Sequence, residues 1–293
     1  MIQAQSYETG HEGPKLAFMG AVHGNEICGT QAIHQLMTDI ENGAVKLARG
    51  SLLLIPVANP EACRMNRRFV DENLNRVFLK SSHPKSYESH IANELTDMLS
   101  SCDILVDFHS NHMAGWPFAL HFDFFSKQEE DMIRAMGLAH VVQGWESAYA
   151  RSFPQMNMGQ TSHSSAFMHS QGKIGMGVEC GQHADTQSVV VARNIMDRML
   201  VHSGIVKGGI DYPDAQAMIE IRRVYLRRSE HDGFESEFTH GQPIQKGQQI
   251  ARYGDGGTVQ AEEDGLILFP RPDCPIGEEW FYTGRNCKIS PTG

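Results

Sequence analysis

The chain is short of positive charge, of paired cysteines and of long apolar runs, and each shortage removes a class of function. Lys and Arg number 25 against 35 Asp and Glu, a formal net charge of -10 over 293 residues. A field of that sign repels phosphate backbones and anionic lipid, so neither nucleic-acid nor membrane partners are expected. The six cysteines (Cys28, Cys63, Cys102, Cys180, Cys274, Cys287) include no C-x-x-C pair, the spacing of a zinc knuckle or dithiol motif. The longest apolar run in the first half, residues 52–58, is far too short to span a bilayer. No basic-then-apolar leader pattern opens the sequence, and the expected setting is a reducing cytoplasm with free thiols. Walker loops, G-x-G-x-x-G loops and G-x-S-x-G elbows are also missing, which leaves nucleotide-dependent and serine-hydrolase chemistry without local support.

What is present is alternation. Strand-like runs at 15–22, 51–58, 103–108, 139–143 and 174–179 are separated by helical patterns at 26–40, 86–99 and 185–205. Asp185 and Thr186 stand ready to cap the last of these. This order predicts an α/β fold: a mixed, mostly parallel central sheet with helices on both faces. After Gly208-Gly209 the character changes to an alternating strand at 218–226 and recurrent Gly/Pro turns, with a hairpin expected over 253–270 turning near Asp255-Gly256-Gly257. The expected division is a catalytic domain over 1–209 and a smaller all-β domain over 210–293 that caps the cleft.

Open α/β sheets bind ligands outside the carboxyl ends of their strands, and three polar clusters fall at such ends. The first is His23-Gly24-Asn25-Glu26 with Asp107-Phe108-His109-Ser110. His23, Glu26 and His109 offer two imidazoles and one carboxylate, the ligand set of a catalytic zinc with a position left for water. Gly24 allows a tight turn, and Glu26 is expected on the first helical turn, at the positive end of the dipole. Asp107 shares a strand face with His109 and can orient an imidazole. The second cluster, Asn59 to Arg76, carries Arg68 and the pair Asn75-Arg76, fork-shaped donors suited to a carboxylate. The bland alternative is a surface loop whose arginines pair with Asp71 and Glu72. The third, Gly175 to His183, ends a strand on Glu179, which can act as general base and then acid. Cys180 with His183 is the rival, as a thiol nucleophile. Strand alternation turns Glu179 and Cys180 to opposite faces, and a buried structural thiol is the expected fate of Cys180.

In their order, the stretches 20–29, 59–76 (ending Asn-Leu-Asn-Arg), 107–110 and 177–179 resemble the succinylglutamate desuccinylase/aspartoacylase family, zinc carboxypeptidase-like hydrolases. The resemblance implies one Zn2+ per chain on His23, Glu26 and His109, and Glu179 as general acid/base. It also implies that Arg68 helps hold the oxyanion, with Arg68, Asn75 and Arg76 as anchors for substrate carboxylates or carbonyl. In the C-terminal part it points to Tyr282 near the site. The implied activity is removal of the acyl group from a small N-acyl amino acid by a metal-activated water, with a homo-oligomer left open. The rivals are a zinc carboxypeptidase acting on peptides and a non-catalytic metal- or ligand-binding relative. One departure matters. Aspartoacylases carry a further Arg about ten residues before the catalytic Glu; here that count lands on His169, and no Arg lies between Phe153 and Ala192. Strict aspartoacylase specificity is therefore not expected.

Overall fold

The computed structural model describes residues 2–121, 126–154, 162–213 and 215–287. Its strands, in chain order, are β1 (Gln5–Glu8), β2 (Lys15–Gly20), β3 (Ser51–Ile55), β4 (Ile104–Asn111), β5 (Phe118–His121), β6 (His140–Gln143) and β7 (Ile174–Gln182). There follow β8 (Ala217–Leu226), β9 (Gly233–Phe234), β10 (Gln242–Ile244), β11 (Gln249–Arg252), β12 (Thr258–Gln260), β13 (Gly265–Leu268) and β14 (Glu279–Cys287). The large sheet runs β1-β3-β2-β4-β7-β5-β6-β8-β14-β13-β10, and β12-β11-β9 form a second, three-stranded sheet. Strands β3, β2, β4 and β7 are parallel, and the C-terminal strands β8, β14, β13 and β10 are antiparallel.

Strand β2 shows why helices cover both faces. Leu16 and Phe18 pack with Ile33, Leu36, Ile195 and Met199 from the helices Cys28–Glu41 and Thr186–His202. Ala17 and Met19 pack on the other side with Ile91, Leu95 and Leu99 of the helix Tyr87–Leu99. Period-2 alternation in a strand apolar from Leu16 onward divides two cores, as in inner strands of parallel sheets. Ser86 caps its helix by accepting from the Ser89 N–H at 3.0 Å, and Asp185 does the same for Gln187 at 2.8 Å.

Three details differ from the expectations. The first helix starts at Cys28, so Glu26 sits in the loop before it and not on its first turn. The Asp255-Gly256-Gly257 turn joins β11 to β12, while β13 pairs with β14 and β10, so 253–270 is not a single hairpin. Strands β1 and β5 insert antiparallel next to β3 and β7; both are four-residue strands that carry too little periodicity to read.

Candidate metal centre and substrate cavity

The carboxyl end of β2 turns sharply. Ala21 takes a left-handed backbone with φ of 50°, a conformation that costs energy for a residue with a Cβ and concentrates at functional sites. Gly24 follows because a Cβ there would lie 2.1 Å from the Ala62 carbonyl carbon, inside the helix Pro60–Arg64. The Glu26 N–H donates to the His23 carbonyl at 3.0 Å, which folds the two side chains toward each other. His109 comes from the adjacent parallel strand β4, and Glu179 of β7 stands directly opposite it in register.

His23 Nδ1 lies 2.9 Å from Glu26 Oε1, and His109 Nδ1 lies 2.9 Å from Glu26 Oε2. One ligand atom from each residue falls within 4.8 Å of the other two, and all three residues are buried. The far nitrogens are tethered: His23 Nε2 to Asn73 Oδ1 at 3.1 Å, and His109 Nε2 to Asp107 Oδ2 at 3.0 Å. Asp107 Oδ2 in turn accepts from Ser164 Oγ at 2.6 Å. Such outer partners fix the imidazole tautomer with the proton on Nε2 and present Nδ1. His23 Nδ1 is buried and lacks a partner with hydrogen-bond geometry, an arrangement that a cation would resolve. Burial first, then Arg68, pulls His23 down to about 4, so it is neutral as a ligand must be. For Glu26, burial works against ionisation, but His23 and His109 outweigh it and hold the carboxyl well below its ordinary value. For His109, burial is outweighed by Asp107 and Glu26, and its value stands above the ordinary one. Two nitrogens and one carboxylate, buried and converging, fit a divalent metal ion.

A cavity of about 220 Å³ opens on the triad, with Arg68, Asn75, Arg76, His112, Trp145, Tyr149, His183, Glu179, Glu279 and Tyr282 among its walls. Glu179 Oε2 is shut off from solvent and has no hydrogen-bond partner. Burial, then the charge of Glu26, pushes its carboxyl up to about 8. Arg68 Nη1 donates to Glu26 Oε1 at 2.8 Å, and Arg76 Nη2 lies 3.6 Å from Glu279 Oε1. Neither pairs with Asp71 or Glu72, which are used locally: Asp71 accepts from the Tyr87 N–H at 2.7 Å, and Glu72 accepts from the Ser86 hydroxyl. Asn75 Oδ1 is buried and unpartnered at the cavity wall. Tyr282 is buried and lines the cavity beside Trp145, their ring centroids 5.2 Å apart. His169 is elsewhere, paired with Glu129 at 2.5 Å. Cys180 is buried in the same core cluster as Cys28, and His183 bonds Ser110 instead, so the thiol-nucleophile alternative has no dyad.

The loop bearing Arg68 and Asn73 is folded around Glu88, a fully buried carboxylate that the sequence reading missed because helix periodicity alone does not single it out. Its oxygens accept from Asn59 Nδ2 (3.1 Å) and from the backbone N–H of Val70 (2.7 Å), Asp71 (3.0 Å) and Glu72 (3.2 Å). Removing it leaves several buried donors unpaired, each worth about 1–3 kcal/mol. Glu88→Ala should lower unfolding free energy by roughly 3 kcal/mol or more, and Glu88→Gln by less, because its amide oxygen still accepts. Equal losses in denaturant melts of the two variants would contradict this role. Trp145, Tyr149 and Glu279 were likewise missed, and His183 was singled out only as a partner for Cys180; they reach the cavity only through tertiary packing.

A mixed α/β sheet with a buried His-Glu-His group at its strand ends, able to hold a metal ion and opening on a small cavity, defines an α/β fold and site of the hydrolase type. More particularly, the succinylglutamate desuccinylase/aspartoacylase catalytic domain model matches residues 12–203, well over half of the chain, and the chain belongs to that family. It is 27% identical over 283 residues to the N-alpha-acetyl-L-2,4-diaminobutyric acid deacetylase of Halomonas elongata, covering 89% of this chain and 78% of that protein. With the succinylglutamate desuccinylase of Vibrio cholerae it shares 24% identity over 272 residues, 88% of this chain and 76% of that one. The fold is similar to that of a product-bound ectoine utilization protein from Ruegeria pomeroyi, with a TM-score of 0.77 at 22% identity over 97% of this chain and 89% of that one.

Proposed function

We propose that the chain is a zinc-dependent amidohydrolase that removes the acyl group from a small N-acyl amino acid. The observation that carries this reading is the juxtaposition of the His23, Glu26 and His109 cluster with the unpartnered Oε2 of Glu179 at one cavity. Zn2+ held by the three side chains would supply acidity to a water and polarisation to an acyl carbonyl. Glu179 Oε2 takes the proton of the attacking water and later delivers it to the leaving nitrogen. Arg68 lies against the cluster and holds the carbonyl oxygen as negative charge develops on it. Asn75 and Arg76 hold the amino acid carboxylate, and Tyr282 closes the wall behind it.

Size supports this reading over a peptide-cleaving carboxypeptidase. A cavity of about 220 Å³ lies below the range of about 300–1,000 Å³ usual for ligand pockets, and suits a small substrate. Part of its wall (Phe269, Arg271, Glu279 and Tyr282) comes from residues 210–293, which we assign as the cap over the catalytic residues 1–209. All six cysteines are free, consistent with a cytoplasmic enzyme, and no described helix is long and apolar enough to cross a membrane. A hydrolysis screen of acetyl, formyl and succinyl amino acids against short peptides, with zinc present, tests the assignment. Release of a free amino acid from at least one N-acyl amino acid is expected; cleavage of peptides alone would overturn it.

A further inference from the structure

The arginines of residues 210–293 divide into two groups. Arg222, Arg223, Arg252, Arg271 and Arg285 each pair with a glutamate, whereas Arg227 and Arg228, side by side, make no ion pair among the described residues. Acidic side chains outnumber basic ones 35 to 25 in this chain, so adjacent cations left without a counter-ion are out of keeping with the rest of its surface. Both follow the end of β8 at Leu226, and both line a groove of about 650 Å³ walled also by β12 and by Ile276 and Gly277. This groove shares no lining residue with the metal cavity.

Both side chains are held in place. The Arg227 N–H donates to the Glu278 carbonyl at 3.0 Å, and its carbonyl accepts from the Gly277 N–H at 2.7 Å. Its Nη1 donates to the Cys274 carbonyl at 2.7 Å, while Nε, shielded from solvent, has no hydrogen-bond partner. A buried donor left unpaired is costly, and an acceptor on a ligand removes that cost. The Arg228 guanidinium lies over the Tyr253 ring, its central carbon 3.8 Å from the centroid, which steadies the group and leaves its in-plane N–H donors for another partner. Neighbouring carboxylates are used elsewhere. Asp232 accepts from the backbone N–H groups of Arg228, Ser229 and Gly254 and from the Ser229 hydroxyl, and Glu262 is held by Arg223 at 3.1 Å. Beside the cations the wall carries apolar surface from Leu226, Val259 and Ile276, the last of which is 54% exposed.

We infer that this groove binds a small phosphate monoester with an apolar body: the phosphate accepts from Arg227 and Arg228, and the body rests on Val259 and Ile276. Two unpaired guanidinium groups match the charge of a phosphate monoester, about two negative charges at pH 7, whereas a carboxylate would balance only one of them. The negative field of the rest of the chain is screened over about 10 Å at 0.1 M salt, so the adjacent pair governs attraction inside the groove. The site lies beyond the deacylase reading and does not depend on it, because none of its residues takes part in the proposed hydrolysis.

Calorimetric titration of the zinc-loaded protein with phenyl phosphate, inorganic phosphate and benzoate tests the inference. Phenyl phosphate should bind about tenfold more tightly than either comparison, since inorganic phosphate lacks the apolar body and benzoate lacks the second charge. Arg228→Ala removes an exposed side chain, so it should leave the fold intact and weaken phenyl phosphate about tenfold or more. Arg227→Lys, which keeps the charge but loses the fork of donors, should weaken it in the same direction. Arg68→Ala changes the metal cavity instead and should leave the affinity at the wild-type level. In spectra of protein with 15N-labelled arginine, the Arg227 Nε–H signal should move on addition of phenyl phosphate. Absence of binding at millimolar phenyl phosphate, benzoate binding as tightly, or an affinity unchanged in both Arg228→Ala and Arg227→Lys would overturn the proposal. An affinity lost in Arg68→Ala and kept in Arg228→Ala would assign the anion to the metal cavity and overturn it as well.

Discussion

Glu179→Gln should leave the metal bound and slow turnover by roughly 100-fold or more. The substitution keeps the shape of the side chain and its place opposite His109 in the β4–β7 register, but takes away the atom that accepts a proton. Glu179 is not one of the three converging ligands, so metal content should stay at the wild-type level. The loss should appear in kcat and in kcat/KM together, as expected when a group acts on the transition state and not on ground-state binding. The environment is already arranged for proton traffic: Oε2 is closed off from solvent without a partner, and burial, then Glu26, lifts the carboxyl to about 8, close to the range where a group both takes up and releases a proton. Steady-state kinetics beside metal analysis of the same preparation checks this, and wild-type turnover in the variant would remove Glu179 from the mechanism.

Glu26→Gln should have the opposite profile, losing metal and activity together. Glu26 is the only anion of the cluster, and its two oxygens face the two imidazoles at 2.9 Å each. Without it, two neutral nitrogens remain, and the Arg68 guanidinium at 2.8 Å loses its partner and repels a cation. Outer-sphere substitutions typically cost about 10–100-fold in metal affinity, and loss of a charged ligand should exceed that range. The variant should therefore purify with far less than one metal per chain, at a concentration where the wild type is loaded. Retention of full metal content would show that the cation, if any, is held elsewhere.

The sequence made strand ends legible because parallel inner strands are apolar throughout and stop on polar residues. That placed His23, Glu26, His109 and Glu179 together at the carboxyl ends of neighbouring strands. Strand alternation correctly separated Glu179 from Cys180. The loop from Asn59 to Arg76 was legible as donors but not as a shape, since its form depends on Glu88 arriving from a helix that is distant in sequence. Glu26 was placed one turn too far into the helix because apolar periodicity begins at Ile27, whereas the backbone first makes the tight His23-to-Glu26 turn. Tyr149 and Glu279 had no signal in spacing, and His183 had one only as a partner for Cys180. They become neighbours only when β14 closes against β8 and the β7 corner meets β4.

The most direct test of the account is a zinc titration of chelator-stripped protein, with hydrolysis of an N-acyl amino acid and bound metal measured at each step. The account predicts an inactive stripped protein whose activity rises linearly and saturates at about one Zn2+ per chain, with Glu26→Gln unresponsive over the same range. Full hydrolysis by the stripped protein, or saturation without any activity, would contradict it.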